Sequence, residues 1–186
     1  MSPGVPRAVG AWLALFLAAT ILERLWELTL SARHARRLLR RGGREANDAS
    51  FPWLVAVHVL YPAGLLGEVL WLGVRPGGLW PLWLGLWVGA HALRMAAVRA
   101  LGDRWHVRVW VVPGEPRIRR GPYRRLRHPN YIAVALELLS GTLLFGAWRT
   151  AGLVTAVNLV AVGARIRVEE RALDGAGSAP RLHLHA

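Results

Sequence analysis

The sequence has no cysteine, which excludes disulfide bonds, thiolate metal sites and cysteine nucleophiles. It also has no lysine, and its 24 basic residues, all arginine, outnumber the 11 acidic residues to give a formal net charge of +13. Neither a Walker phosphate-binding loop nor a strand-linked glycine-rich nucleotide fingerprint is present. Any nucleotide-like cofactor must therefore be held by another architecture.

Apolar residues are abundant, at 54% of the chain, and the mean hydropathy is positive at +0.29. A chain of 186 residues has room for one domain, and this apolar share exceeds that of a typical soluble domain. A nucleic-acid-binding protein would present its basic residues on a soluble surface, whereas here arginines separate long apolar runs. The composition favours an integral membrane protein whose partner is the lipid bilayer, not nucleic acid.

Four apolar runs meet or approach the roughly 20 residues that a helix needs to cross a bilayer, and a shorter fifth run follows them. In chain order they are Val9 to Leu30, Phe51 to Val74, Leu79 to Ala100, Tyr131 to Ala147, and the shorter Thr150 to Ala164. The first run continues without a small-residue cleavage site, so we expect a retained span and not a signal peptide. The predicted fold is an all-α, polytopic membrane bundle of about five transmembrane helices.

The runs also predict how the chain is organised. Residues 1–174 form a single domain, with three spans in residues 1–100 and a loop followed by a helical hairpin in residues 101–174. Residues 175–186 contain glycine, alanine and serine and are predicted to be a disordered tail.

Arginine placement predicts the orientation of the bundle, because positive residues accumulate in short cytoplasmic loops. With five spans, nineteen of the 24 arginines fall on one side. The N-terminus is therefore predicted outside and the C-terminus in the cytoplasm.

The densest polar segment runs from Gly121 to Tyr131 and reads Gly-Pro-Tyr-Arg-Arg-Leu-Arg-His-Pro-Asn-Tyr. Pro129 suits the first turn of a helix, which places His128 at the cytoplasmic mouth of the fourth span. Free amides at that helix end would favour an anion. An arginine anchor is the simpler interpretation, but anchoring requires neither the imidazole of His128 nor the phenol of Tyr131.

Polar residues also enter the last two spans. Glu137 lies seven residues after Asn130, on the same helix face and deep in an apolar run, where an ionisable group should face the protein interior. Pairing with an arginine of another helix is the structural alternative. Asn158, Arg165 and Glu169 likewise share one face, so a polar cleft between the fourth and fifth helices is plausible.

Other polar residues carry weaker signals. His58, Glu68, His91 and Arg94 lie inside apolar runs and are expected to pair with one another or to line an acceptor pocket. Asp103 and His106 are too few ligands for a metal, and the sequence predicts no metal site.

Three segments together resemble one family. Gly121 to Tyr123, Arg127 to Tyr131 and Arg165 to Glu170, in this order around a helical hairpin, resemble the isoprenylcysteine carboxyl methyltransferase family of membrane enzymes. The resemblance is strongest from Leu101 to Leu173. The first hundred residues look more like a bacterial branch associated with O-methylation of alkylpyrones and alkylresorcinols.

This resemblance implies an S-adenosyl-L-methionine pocket on the cytoplasmic side of a membrane, here the inner membrane of a bacterium. The residues carried over as cofactor contacts are Ile118, Tyr123, His128, Pro129, Asn130, Tyr131 and Glu169. The segment from Glu115 to Ile118 departs from the eukaryotic pattern, so only backbone contacts are expected there. Arg165 is expected to face the acceptor.

The predicted reaction is O-methylation of a lipophilic acceptor, either a prenylated cysteine carboxylate, a long-chain phenol or pyrone, or another lipid. Arg165 and Glu137 are predicted to act on it from facing positions, Arg165 orienting an anionic oxygen and Glu137 accepting a phenol proton. An NADPH-dependent membrane reductase and a non-enzymatic membrane protein stay open as alternatives. The sequence does not indicate an oligomeric state.

Overall fold

A computed structural model describes residues 7–177, which form a helical bundle with very little sheet. The helices are α1 (Arg7–Arg40), α2 (Phe51–Trp71), α3 (Trp80–Leu101), α4 (Pro129–Leu144) and α5 (Trp148–Gly177). Short 3-10 turns at Gly102–Arg104 and Gly121–Arg124 lie in the segment between α3 and α4. Strands β1 (Arg44–Glu45) and β2 (Trp110–Val111) pair antiparallel and join this segment to the α1–α2 loop. The predicted all-α membrane bundle is confirmed.

Proline and glycine mark where helices begin and turn. Pro52, Pro81 and Pro129 each lie in the first turn of a helix, where the missing N–H leaves no hydrogen bond unmade. The α4–α5 turn contains Gly146 at a positive φ of 78°, and a Cβ there would lie 2.3 Å from the Arg75 carbonyl oxygen. Only glycine fits this turn, which brings α5 back along α4.

Three helices, α1, α2 and α5, are long and apolar enough to cross a membrane, and α4 is a shorter apolar helix of 16 residues. Large apolar side chains on the outer faces, including Trp12, Trp71 and Val160, are strongly exposed. Such surfaces suit lipid and not water. The protein is an integral membrane protein, while the count of five spans and the outside N-terminus stay predictions.

Helix α4 lies against α3 and α5, and α5 also packs on α2. One core cluster joins three of these helices through Val57 and Tyr61 of α2, Val134 and Leu138 of α4, and Val154 of α5. Helix α1 is peripheral, since only 11% of its apolar window is buried. Loose packing of α1 leaves room for a cavity between it and the rest of the bundle.

Helix boundaries differ from the predicted spans at both ends of the chain. Helix α1 continues past Leu30 to Arg40, and α5 extends beyond Thr150 to Ala164 in both directions. Hydropathy marks the residues suited to hydrocarbon, whereas a helix continues wherever one face still packs, as the buried Leu38 does. Helix α5 ends at Gly177, three residues into the tail predicted from residue 175. Residues 178–186 lie outside the described range, and the disorder of the tail stays a prediction.

Candidate active site

A cavity of about 520 Å³ lies between the membrane helices and the loop that connects α3 to α4. Six residues singled out in the sequence line its polar end: Tyr123, His128, Asn130, Tyr131, Arg165 and Glu169. The lining also includes a second polar group, which consists of Arg24, Glu27, His58 and Arg94. An apolar wall comes mainly from α1 and α2 and includes Ile21, Leu25, Leu28, Leu54, Val55 and Val59. Most of these wall residues are also exposed on the outside of the bundle. The cavity therefore joins a polar interior to the surface that faces lipid.

Tyr131 connects the two helices at the polar end. Its hydroxyl donates a hydrogen bond of 2.6 Å to Glu169 Oε2 and accepts one of 3.0 Å from Arg165 Nε. Its ring stacks on the His128 imidazole, with centroids 5.6 Å apart and planes 17° apart. Because Pro129 begins α4 directly after His128, both rings are held at the start of a rigid helix.

Arg165 is held by three chain segments. In addition to the Tyr131 hydroxyl, it donates 3.1 Å to Asp48 Oδ2 and 2.6 Å to the Val107 carbonyl oxygen. It is 4% exposed yet lines the cavity. These bonds occupy three of its five N–H donors, so among the described residues two donors stay free for a substrate oxygen.

Asp48 is a partner of Arg165 that the sequence did not reveal. Its Oδ1 accepts hydrogen bonds from the Ser50 backbone N–H, at 2.9 Å, and from the Ser50 hydroxyl. These bonds orient the carboxylate so that Oδ2 is directed at Arg165. An Asp shortly before the start of a helix is a common turn signal, and Asp48 lies two residues before the N-cap Ser50 of α2. Its partner lies 117 residues away in sequence, a separation that no local pattern encodes.

His128 belongs to a second group of contacts, at the rim of the cavity. Its Nε2 lies 3.0 Å from Glu170 Oε1, and Glu170 in turn accepts a 2.9 Å hydrogen bond from Arg117. Arg117 also donates 2.8 Å to Asp174, so the loop before α4 is fastened to the end of α5. These ion pairs hold the loop against α5 beside the cavity, whose lining there also includes Leu173.

Two further side chains in the cavity wall are uncharged. Burial, together with the charge of Glu169, raises the pKa of Tyr123 above its ordinary value, so the phenol stays protonated. Burial and, to a smaller extent, the neighbouring His34 lower the pKa of His106 to about 4, so its imidazole is neutral at physiological pH.

Two asparagines are among the cavity residues whose polar atoms are unsatisfied. Asn130 Oδ1 is buried without a hydrogen-bond partner among the described residues, as are both side-chain polar atoms of Asn158. Asn158, Arg165 and Glu169 all line the cavity, which confirms that they share one face of α5.

Two carried-over residues do not line the cavity. Ile118 lies in a separate surface pocket with Arg41 and Arg117, among other residues. Pro129 is fully buried and acts as the first residue of α4. Their assignment as cofactor contacts stays a prediction.

Glu137 lies beside arginines of two other helices. Its Oε2 accepts a 2.6 Å hydrogen bond from Arg94 of α3, and Arg24 of α1 lies 3.7 Å away. Glu137 is therefore paired with Arg94 and is not among the residues that line the cavity, and its action on the acceptor opposite Arg165 stays a prediction. Four polar residues were expected to pair with one another or to line an acceptor pocket, and two of them, His58 and Arg94, line the cavity. Their contacts go to residues outside the set: Arg94 bonds to Glu27 and Glu137, His91 contacts Glu23 and Glu137, Glu68 accepts from the Arg149 N–H, and His58 bonds to Leu54 of its own helix.

Comparison with known proteins agrees with this geometry. Residues 83–175 match the model of the isoprenylcysteine carboxyl methyltransferase family. The uncharacterized protein YpbQ of Bacillus subtilis is 31% identical over 160 residues, which is 86% of this chain and 95% of the relative. An uncharacterized protein of Haemophilus influenzae is 23% identical over 158 residues, covering 84% of this chain and 92% of the relative. No solved structure matches the chain. The matched residues include all six residues of the polar end of the cavity, whereas Asp48 lies outside the match. The chain belongs to the isoprenylcysteine carboxyl methyltransferase family, a family of membrane methyltransferases.

Proposed function

We propose that this protein transfers a methyl group from S-adenosyl-L-methionine to an oxygen of a lipophilic acceptor that enters from the bilayer. The supporting observation is a cavity that has the family's polar motif at one end and lipid-facing apolar walls at the other. A water-soluble substrate would have no use for walls that open toward hydrocarbon. A bound lipid, in contrast, can leave its chain between α1 and α2 while its head reaches Arg165.

The residues at the polar end fit the proposed cofactor. S-Adenosyl-L-methionine supplies an electrophilic methyl on a sulfonium cation, together with a charged amino-acid group. The stacked rings of His128 and Tyr131 and the carboxylate of Glu169 suit a cation. Asn130 Oδ1 is an acceptor, unused within residues 7–177, that an amino group would satisfy. Tyr123 also lines this end of the cavity and contributes an uncharged phenol.

The acceptor oxygen is proposed to lie against Arg165. Two free N–H donors on a rigidly held guanidinium can orient a carboxylate or phenolate and keep it anionic. During the transfer, an oxygen lone pair forms the new O–CH₃ bond as the S–CH₃ bond breaks. The bonding pair stays on sulfur, so the positive charge is lost there and the acceptor loses its negative charge.

A proton acceptor is needed only if the substrate arrives as a neutral phenol. The sequence predicts Glu137 for that role, but its hydrogen bond to Arg94 and its position outside the cavity lining favour a structural role. We therefore assign the acceptor chemistry to Arg165 alone, with Asp48 holding it in position.

The active site is proposed to face the cytoplasm of a bacterial inner membrane, as the arginine distribution predicts. Reporter fusions after Arg44, Gly77, Pro116 and Ala186 should be located inside, outside, inside and inside. An inside location at Gly77 would overturn this orientation.

Calorimetric titration of the purified protein with S-adenosylhomocysteine and with NADPH tests the cofactor class. Binding of the first compound alone is expected. Glu169→Gln and His128→Ala should weaken that binding at least about tenfold, whereas the surface variant Glu45→Gln should bind like the wild type. Binding of NADPH alone would indicate a reductase, and binding of neither would favour a non-enzymatic membrane protein.

Incubating membranes that contain the protein with isotopically labelled S-adenosyl-L-methionine should place the label in the lipid extract. Mass analysis then distinguishes a prenylated carboxylate from a phenol or pyrone. Label that appears only in water-soluble products would contradict the proposal.

A further inference from the structure

Three helices meet at a second polar group, away from the motif residues. Glu23 of α1, His91 of α3 and Glu137 of α4 each direct one ligand atom toward a common point, and these atoms lie within 4.8 Å of one another. We refer to these three residues as the three-helix cluster.

The converging atoms are unused by the rest of the described fold. His91 Nδ1 lies 3.5 Å from Glu23 Oε1 and 3.4 Å from Glu137 Oε1. Among the described residues, none of these three buried atoms has a hydrogen-bond partner. Glu137 as a whole is only 8% exposed, so its free oxygen cannot be satisfied by bulk water.

Arginines hold the opposite oxygens of the same carboxylates. Arg94 donates to Glu137 Oε2, at 2.6 Å, and Arg24 lies 3.3 Å from Glu23 Oε2. Glu27 pairs with both arginines, at 2.8 Å and 2.5 Å. Three carboxylates and two guanidinium groups leave one negative charge uncompensated, in a part of the bundle where charge is costly.

We propose that the three-helix cluster binds a zinc-like divalent cation. Metal bonds of about 2.1 Å in a tetrahedral arrangement place ligands about 3.4 Å apart, which matches both distances from His91 Nδ1. One imidazole and two carboxylates are ligands that zinc accepts, whereas magnesium prefers six oxygen ligands. The His91 side chain is 34% exposed, which gives the ion a route to the site.

Such an ion would join α1 to α3 and α4. Helix α1 is the least buried of the candidate spans, and it forms one apolar wall of the cavity. The cation would therefore fix the wall that a lipid must pass. This inference does not depend on the proposed methyl transfer, and its tests measure metal binding and stability alone.

Thermal unfolding in detergent, after removal of metals by a chelator, tests the site. Added Zn²⁺ should raise the melting temperature of the wild type by about 5 °C or more, and Mg²⁺ should not. His91→Gln should abolish the Zn²⁺ effect. His58→Gln should retain it, because His58 Nδ1 bonds to Leu54 of its own helix. An equal Zn²⁺ effect in His91→Gln, or none in the wild type, would overturn the proposal and indicate a protonated His91 as the balancing charge.

Loss of Glu137 would leave Arg94 short of a partner and could prevent folding, so Glu23→Gln is the second variant. Zn²⁺ affinity measured by calorimetry should fall at least about tenfold in Glu23→Gln. The matched control Glu45→Gln removes a carboxylate from an exposed pair with Arg108 and should bind like the wild type. Equal affinities in Glu23→Gln and the wild type would refute the site.

Discussion

Two buried arginines on neighbouring sides of the bundle have different surroundings. Arg94 lies between Glu27 and Glu137 and pairs with one oxygen of each carboxylate. Within residues 7–177, Arg165 has one carboxylate partner, Asp48, and its other bonds go to neutral oxygens in the cavity wall. Both arginines line the cavity, but Arg94 of α3 is paired with carboxylates of α1 and α4 and so holds helices together. Arg165 has a single carboxylate partner and is therefore the more available of the two for an anionic ligand.

Of the variants considered, removal of Arg94 should cause the largest loss of stability. Arg94→Ala leaves two buried carboxylates without their cation, which costs about 3–5 kcal/mol of unfolding free energy. Folded yield and melting temperature in detergent measure it. Arg94→Lys keeps the charge but not the forked geometry and should be intermediate. An unchanged melting temperature in Arg94→Ala would contradict the assignment of Arg94 as the arginine that stabilises the bundle.

Replacing Arg165 should affect turnover more than stability. Arg165→Ala removes the free donors at the cavity and should lower turnover per folded molecule by about 100-fold. Asp48→Asn should act in the same direction with a smaller loss, because the guanidinium stays but is held less firmly. Turnover should be divided by the amount of folded protein, which size-exclusion chromatography measures. Wild-type turnover in Arg165→Ala would refute its assignment to the acceptor.

Glu137→Gln distinguishes a base from a structural anion. The glutamine can still accept from Arg94 but lacks the charge, so we expect a stability loss of about 1–3 kcal/mol and near wild-type turnover per folded molecule. Turnover should be measured with both a carboxylate and a phenol acceptor. A loss of turnover restricted to the phenol would restore the predicted role as base.

The smallest effect is expected at Ile118. Its side chain lies in a surface pocket outside the cavity, so Ile118→Ala should change S-adenosylhomocysteine affinity by less than about threefold. Tyr131→Phe is the comparison variant at the cavity, and it should weaken S-adenosylhomocysteine binding more than Ile118→Ala does. A large loss in Ile118→Ala would mean that the loop before α4 moves onto the cofactor.

The family resemblance supplied the site residues and helix periodicity placed some of them on common faces, but neither identified their partners. The seven-residue spacing of Asn158 and Arg165 was enough to place both on one helix face, and both line the cavity. The same spacing put Glu137 on the face of Asn130, yet it could not tell which neighbouring helix supplies the cation. Helix geometry is local, whereas the identity of a neighbour depends on how whole helices pack.

The sequence by itself determined that this protein lies in a lipid bilayer, and it determined which polar residues lie together at the start of α4. Long apolar runs require helices in a bilayer because backbone groups have no other partner there, and motif residues clustered at the start of α4 stay adjacent in any fold. Tertiary structure alone decided that Asp48 meets Arg165 across 117 residues and that Arg94 meets Glu137 across 43 residues. Contacts between distant segments arise from the packing of all five helices together, and no single segment contains the information for them.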